Sequence, residues 1–163
     1  MVEGRDFCSF TILCFPESYG GLSVSCEDLF HFYADVGNFG LSGFCAYDPN
    51  VRANLWQGNS VELFLHLFAE GVPVDDLVTA TSGVFQALGH RDNAIGAQIS
   101  YPDPKITIDD PDMGVVKVVL DATVTDVMEG EYDLSVEFVW VDKTLEWQFD
   151  KTLNVMRDKI LFP

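Results

Sequence analysis

Apolar and polar residues alternate with a period of two along much of the chain after residue 56. The alternation is clearest in EYDLSVEFVWV (131–141), where the even-numbered positions are apolar or aromatic and most odd-numbered ones are polar. SVELFLHLF (60–68) has an apolar residue at every odd-numbered position. Because successive side chains of a strand point to opposite faces, both segments predict strands with one face in a core.

Other segments extend this pattern. VVKVVLDATV (115–124) is a β-branched run typical of a central strand, and TATSGVFQAL (79–88) is interpreted as a strand with a glycine bulge rather than a short helix. Residues 97–101 and 105–110 predict short strands, and residues 145–160 predict one or two closing strands. About seven strands, with turns at intervals of about 8 to 12 residues, predict a mainly β protein with an antiparallel Ig-like β-sandwich over residues 56–163.

The first 55 residues differ from this pattern. Aromatic patches such as FCSFTILCF (7–15) alternate with glycine-rich breaks, and YDPN (47–50) is a turn signal that ends the region. Ser25 followed by two acidic residues resembles a helix start, and apolar residues at positions 29, 30 and 33 follow at helical spacing. We therefore expect residues 1–55 to form an irregular N-terminal arm or docking appendage that contains one short helix.

Aromatic residues are dense in this arm. Because aromatic side chains are enriched in the cores of protein interfaces, we expect them to supply the apolar burial of contacts between subunits. The candidate interface residues are Phe7, Phe10, Phe15, Phe30, Phe32, Tyr33, Phe39, Phe44 and Tyr47.

The four cysteines, Cys8, Cys14, Cys26 and Cys45, all lie in the arm. The gaps between them lack the close pair of ligands that structural zinc sites contain. Two interpretations stay open: buried free thiols, as expected for a cytoplasmic product, or disulfides formed after release into an oxidising medium.

The charge balance narrows the possible partners. The chain has 26 acidic and 9 basic residues, a net charge of -17, and such a surface repels nucleic acid phosphates and anionic membranes. The N-terminus lacks the pattern of a secretory signal, and no apolar run is long enough to cross a membrane, so we expect synthesis in a cytoplasm. An acidic surface also keeps a protein soluble when many copies are packed together.

Residues with catalytic or metal-binding chemistry are scattered. His31, His66 and His90 form no metal-binding pair, and the acidic turn at residues 109–114 lacks the spacing of a calcium loop. No phosphate-binding loop, nucleophile elbow or dinucleotide motif occurs in the chain. We expect no enzyme activity, no metal and no cofactor.

Two stretches carry a family pattern at the start of the predicted sandwich, WQGNSVELFLHLF (56–68) and EGVPVDDLVTA (70–80). They resemble the strand, QGDT-like turn, long strand and dG-x-P-x-DL segment of a β-sandwich module of tailed-phage structural proteins, the N-terminal domain of baseplate upper proteins. The turn matches at Gln57, Gly58, Asn59 and Ser60, where Asn and Ser replace Asp and Thr.

A second block, residues 114–155, resembles the later part of that module. The matching positions, in the expected order, are Gly114, Leu120, Thr125, Gly130 and Tyr132. Gly130 permits a tight turn into the strand, and Tyr132 can pack its ring in the core while its hydroxyl bonds to the backbone at a sandwich corner.

The resemblance implies a structural protein of a tailed-phage virion, located in the tail, baseplate, neck or capsid surface. It implies other virion proteins and copies of the chain itself as partners, without direct binding to nucleic acid or membrane. A different hypothesis, based on charge, is an acidic DNA mimic that inhibits a nucleic-acid-binding enzyme of the host. A third is carbohydrate binding by an exposed aromatic patch that includes Trp56, Trp140 or Trp147.

Overall fold

The computed structural model describes residues 30–37 and 52–157. Within them lie eleven strands: β1 (His31–Asp35), β2 (Ala53–Trp56), β3 (Val61–Ala69), β4 (Val72–Pro73), β5 (Ser82–Gly89), β6 (Ile95–Tyr101), β7 (Ile106–Asp110), β8 (Val115–Leu120), β9 (Gly130–Val139), β10 (Thr144–Gln148) and β11 (Leu153–Met156). A 3-10 turn, Leu77–Thr79, precedes β5, and a short helix, α1 (Ala122–Thr125), lies between β8 and β9. No helix in these ranges is long and apolar enough to span a membrane.

The strands form two sheets. The five-stranded sheet has the order β1-β3-β8-β7, with β4 paired to β3. The six-stranded sheet has the order β2-β11-β9-β5-β6, with β10 paired to β9. The fold is therefore mainly β, and the β-sandwich predicted from the alternation is confirmed.

Both sheets are mixed, whereas the sequence predicted antiparallel pairing throughout. Strand β1 pairs with β3 in parallel, and β2 pairs with β11 in parallel; the other pairs are antiparallel. Each parallel pair joins a strand of the first 56 residues to the edge of a sheet. The strand partners in both cases are separated by long connections, as parallel pairing requires.

The core lies between the sheets and is built by the alternation seen in the sequence. In β9 the even-numbered residues from Tyr132 to Phe138 are buried, and the residues between them are half-buried. The largest fully buried side chains are Trp147, Phe32, Phe85, Phe138, Leu63, Leu65, Leu67, Leu77, Ile106, Leu120, Met128 and Leu134.

Two segments that the sequence placed in the arm are strands of the sandwich. The helix expected around Phe30 and Tyr33 is wrong from His31 onward, because β1 is extended and buries Phe32 and Ala34 alternately against the core. The assignment to an arm is also wrong for β2, whose Ala53 and Leu55 are buried. Pairing with a distant strand outweighs the local helix signal in β1.

The run at residues 115–124 is only partly a strand. Strand β8 ends at Leu120 because the next residue, Asp121, caps α1. The Asp121 side chain accepts a hydrogen bond from the Val124 backbone N–H at 3.0 Å. Thr123 Oγ1 donates to the same carboxylate at 2.6 Å, and Lys105 Nζ lies 2.6 Å from its second oxygen. These contacts hold the pKa of Asp121 well below its usual range, the bond from Lys105 contributing most.

Candidate functional site

Aromatic rings cover part of the outer side of the five-stranded sheet. We call this surface the aromatic face; it consists of His31, Tyr33, Phe64, His66 and Phe68. The rings of Tyr33 and His66 stack with their centroids 4.2 Å apart, and those of His31 and Phe64 are 4.8 Å apart. The outward side of a sandwich sheet is usually polar, so this stack is an unusual feature of the sheet. Its members are half-buried except Phe68, which is buried.

Two histidines meet at the centre of the aromatic face. His31 Nδ1 and His66 Nε2 are 2.8 Å apart, so one ring donates a hydrogen bond and the other accepts it. Burial, with a smaller contribution from the neighbouring His31, lowers the pKa of His66 from 6.5 to about 3. His66 is therefore a neutral hydrogen-bonding group at physiological pH.

Strand β1, which carries two of the five residues of this face, is held at the sheet edge by polar contacts. Lys151 is buried; its Nζ donates to the His31 carbonyl at 3.0 Å and lies 5.1 Å from the centre of the Phe32 ring. At the other end of β1, the Asp35 carboxylate accepts from the backbone N–H groups of Glu70 and Gly71 at 2.9 and 2.6 Å. Charge-assisted bonds of this kind are stronger than neutral ones and fix the strand in register.

The candidate interface residues differ in where they lie. Phe32 has no exposed surface and packs edge-on against Phe149, so its assignment to an intersubunit contact is wrong: the core already buries it. Phe30 and Tyr33 are half-buried at the aromatic face and its margin. The others lie outside the described residues, as do the four cysteines: Phe7, Phe10, Phe15, Phe39, Phe44, Tyr47, Cys8, Cys14, Cys26 and Cys45.

The two sequence blocks that carry the family pattern touch each other at one end of the sandwich. Gln57 Nε2 donates to the Met128 carbonyl at 2.8 Å, and Thr125 Oγ1 donates to the Asn59 carbonyl at 2.9 Å. Gly58, between them, has φ +80°, which glycine adopts without strain. Residues 66 and 71 positions apart in the sequence thus form one hydrogen-bonded unit, which we call the turn contact.

A corner follows the turn contact at the start of β9. Gly130 has φ +98°, and two residues later the Tyr132 ring is 8% exposed. The Tyr132 hydroxyl accepts a hydrogen bond from the Glu129 backbone N–H at 2.9 Å. The ring is packed so closely over Gly96 that a side chain there would overlap it. The corner ties the β9 backbone to the hairpin of β5 and β6.

Beside this corner lies a cavity of about 640 Å³, which is lined by Arg52 before β2, the start of β9, Asn154 of β11 and the turn that joins β5 to β6. Its walls are polar and carry Arg52, His90, Arg91, Glu129 and Glu131. Arg52 Nε is 3.3 Å from Glu131, and His90 Nδ1 is 2.9 Å from the Asp133 carboxylate. The hydrogen bond and the charge of Asp133 raise the pKa of His90. A second hollow, about 460 Å³, lies on the other side of His90.

The acidic residues follow no single row on one face. On β9, Glu131, Asp133 and Glu137 point outward, and Glu137 lies directly opposite Glu146 of β10. Two of these carboxylates contact Arg52 and His90, and other acids lie on the opposite sheet, at Glu62 and Asp110.

The part of the chain that the structure describes holds no metal-binding cluster, and two of its three tryptophans are buried. No group of three or more His, Cys, Asp or Glu residues there could hold a metal ion. Trp140 and Trp147 are buried, with their Nε1 atoms donating to the Asp76 and Phe68 carbonyls at 2.9 Å, so they form no exposed platform. Trp56 is 44% exposed.

Comparison with known proteins gives a structural likeness to a phage protein. No protein-family model and no curated protein matches the sequence. Among solved structures, the chain is similar to the N-terminal domain of phage TP901-1 ORF48, at 12% sequence identity and a TM-score of 0.47. The match covers 79% of this chain and 98% of that domain. At this identity the likeness concerns the fold and assigns no role to any residue.

Proposed function

We propose that the chain is a structural subunit of a tailed-phage virion, present in many copies and bound to other virion proteins and to copies of itself. The observation that supports this proposal is the turn contact. Thr125, a matching position of the second sequence block, donates to the Asn59 carbonyl in the turn of the first block. Gln57 of the same turn donates to the Met128 carbonyl, which also lies in the second block. The two sequence blocks that carry the resemblance are therefore joined by hydrogen bonds in the folded protein.

The properties of the sandwich suit a rigid scaffold. Both sheets contribute to one core, and the corner at Tyr132 and the Asp35 and Lys151 contacts fix the ends of its strands. With a net charge of -17, copies in solution repel each other except where a specific contact is formed. A subunit with such a body needs dedicated contact segments.

The aromatic residues of the N-terminal segment are the candidates for that contact. Six of the nine predicted interface residues precede or follow β1 outside the described ranges, and β1 itself carries Tyr33 on the aromatic face. The position of β1 separates the two roles. In this proposal, residues 1–29, with Phe7, Phe10 and Phe15, supply the assembly contact, and the described residues 30–37 and 52–157 belong to the sandwich.

Deleting residues 1–29 is expected to leave a folded sandwich that no longer self-associates. Light scattering after size-exclusion chromatography measures the mass, and the thermal transition reports folding. The matched control deletes residues 1–37; it also removes β1 with buried Phe32, and we expect it to lose several kcal/mol of stability.

Two results contradict this assignment. If the full-length chain and the 1–29 deletion have the same number of copies per particle, these residues make no self-contact. If the 1–29 deletion lacks a cooperative thermal transition, those residues belong to the core.

A further inference from the structure

The cavity beside the corner is lined by equal numbers of basic and acidic side chains, three of each. Its basic side chains are those of Arg52, His90 and Arg91, and its acidic ones those of Asp92, Glu129 and Glu131. Within the described part of the chain, Arg91 is in no ion pair. The protein as a whole is strongly acidic, so this local balance is unusual for its surface.

Several of these groups are held in place by bonds that leave further bonding capacity. The Glu131 carboxylate accepts from Thr152 Oγ1 at 2.8 Å and contacts Arg52 at 3.3 Å. Asp92 Oδ1 accepts from the Ala94 backbone N–H at 3.0 Å. A carboxylate has about four lone-pair sites and a guanidinium has five N–H donors, so each keeps free positions for a ligand. The carboxylates of Glu131 and Asp92 are thus held in place and keep open hydrogen-bonding positions.

From Arg52 at the edge of the cavity, strand β2 leads to an exposed aromatic ring, Trp56. Arg52, Asn54 and Trp56 alternate on the outward side, and Asn154 Nδ2 donates to Asn54 Oδ1 at 3.1 Å. Asn154 also lines the cavity. At the rise of an extended strand, Arg52 and Trp56 are about 13 Å apart. The surface therefore combines a polar hollow, an amide pair and a half-exposed indole in one line.

We propose that this surface binds a neutral oligosaccharide. A strongly anionic ligand is repelled by three carboxylates in the cavity and by the net charge, and a cation meets two guanidinium groups. A sugar hydroxyl both donates and accepts, which matches paired carboxylates, guanidinium groups and amides. The apolar face of a sugar ring stacks on Trp56, and a cavity of about 640 Å³ falls in the size range of small-molecule sites.

Titration of the full-length protein with maltohexaose, cellohexaose and chitohexaose, followed by NMR and calorimetry, tests this proposal. We expect at least one of them to bind and to perturb signals of the β2 and β11 strands. Arg91→Ala and Trp56→Ala should each weaken that binding about tenfold, as expected for the loss of one good contact. Lys117→Ala, on the other sheet, is the matched control and should bind as the native chain does.

Three results overturn the proposal. One is the absence of saturable binding of all three hexasaccharides up to about 10 mM, which bounds Kd at the weak end of specific recognition. Another is binding that neither Arg91→Ala nor Trp56→Ala changes. The third is tighter binding of trigalacturonic acid than of any neutral probe. The carboxylates of the cavity repel this anionic sugar, so the proposal predicts that it binds more weakly.

Discussion

A Gly114→Ala variant is expected to lose about 4 kcal/mol of unfolding free energy, which is a large part of the stability of a domain of this size. Gly114 has φ +67°, and a Cβ there would lie 2.7 Å from the Leu67 carbonyl oxygen and 2.8 Å from that of Val74. These neighbours are backbone atoms of β3 and of the segment after β4, so they cannot rotate away. Backbone strain and overpacking each add about 1 to 3 kcal/mol. Urea denaturation followed by tryptophan fluorescence measures the loss.

Gly71→Ala separates the two causes. Gly71 also has a positive φ, +80°, but nothing lies within 4 Å of the position of its Cβ. It should therefore lose only the conformational part, about 1 kcal/mol. Equal losses in the two variants would show that the packing of β3 around Gly114 is not as tight as described.

Acidification from pH 7.5 to 5.0 is expected to destabilise the protein by about 2 kcal/mol through His66 alone. The pKa of His66 is lowered to about 3 in the fold against 6.5 when unfolded, so below pH 6.5 the unfolded chain binds a proton that the folded chain does not. Stability contributed by neutral His66 is therefore present above pH 6.5 and is lost as the pH falls towards 3. His66→Gln keeps a hydrogen-bonding group beside His31 but cannot titrate, so its stability should fall less over this range.

His90→Gln is the matched control for this effect. The pKa of His90 is raised by Asp133, so its contribution is present at low pH and is lost as the pH rises through its folded pKa. The His90→Gln variant should therefore still lose stability between pH 7.5 and 5.0. If His66→Gln and the native chain lose the same stability between pH 7.5 and 5.0, His66 is not held neutral in the fold. Denaturation curves of the native chain and of the two variants at five pH values measure these losses of stability.

The strands with a polar outer side could be predicted from the sequence, and those with an aromatic outer side could be predicted less well. β9 alternates cleanly because Glu131, Asp133 and Glu137 face outward. β1 (HFYAD) alternates in burial, but its outward Tyr33 is aromatic, so apolar residues are contiguous and the period of two is hidden. The period of two stays visible in β3, although its outer side is also aromatic, because its core-facing residues Leu63, Leu65 and Leu67 are all aliphatic.

Long-range contacts account for the rest of what the sequence missed. The parallel pairs of β1 with β3 and of β2 with β11 join segments that have no local signal for each other. The buried Lys151 and the cavity residues Arg52, His90 and Glu131 come from separate segments, and each alone reads as a solvated charge. By contrast, the corner at Gly130 and Tyr132 depends on residues three positions apart, so a local pattern was sufficient to locate it.

The proposal that the chain is a virion subunit is tested most directly by the composition of the particle. Quantitative mass spectrometry of purified virions measures whether the chain is present and its copy number relative to the other structural proteins. We expect several copies per particle in a fixed ratio to one of those proteins, retained after a high-salt wash. Absence from purified virions, with the chain present in lysates of infected cells, would contradict the proposal and favour a role inside the host.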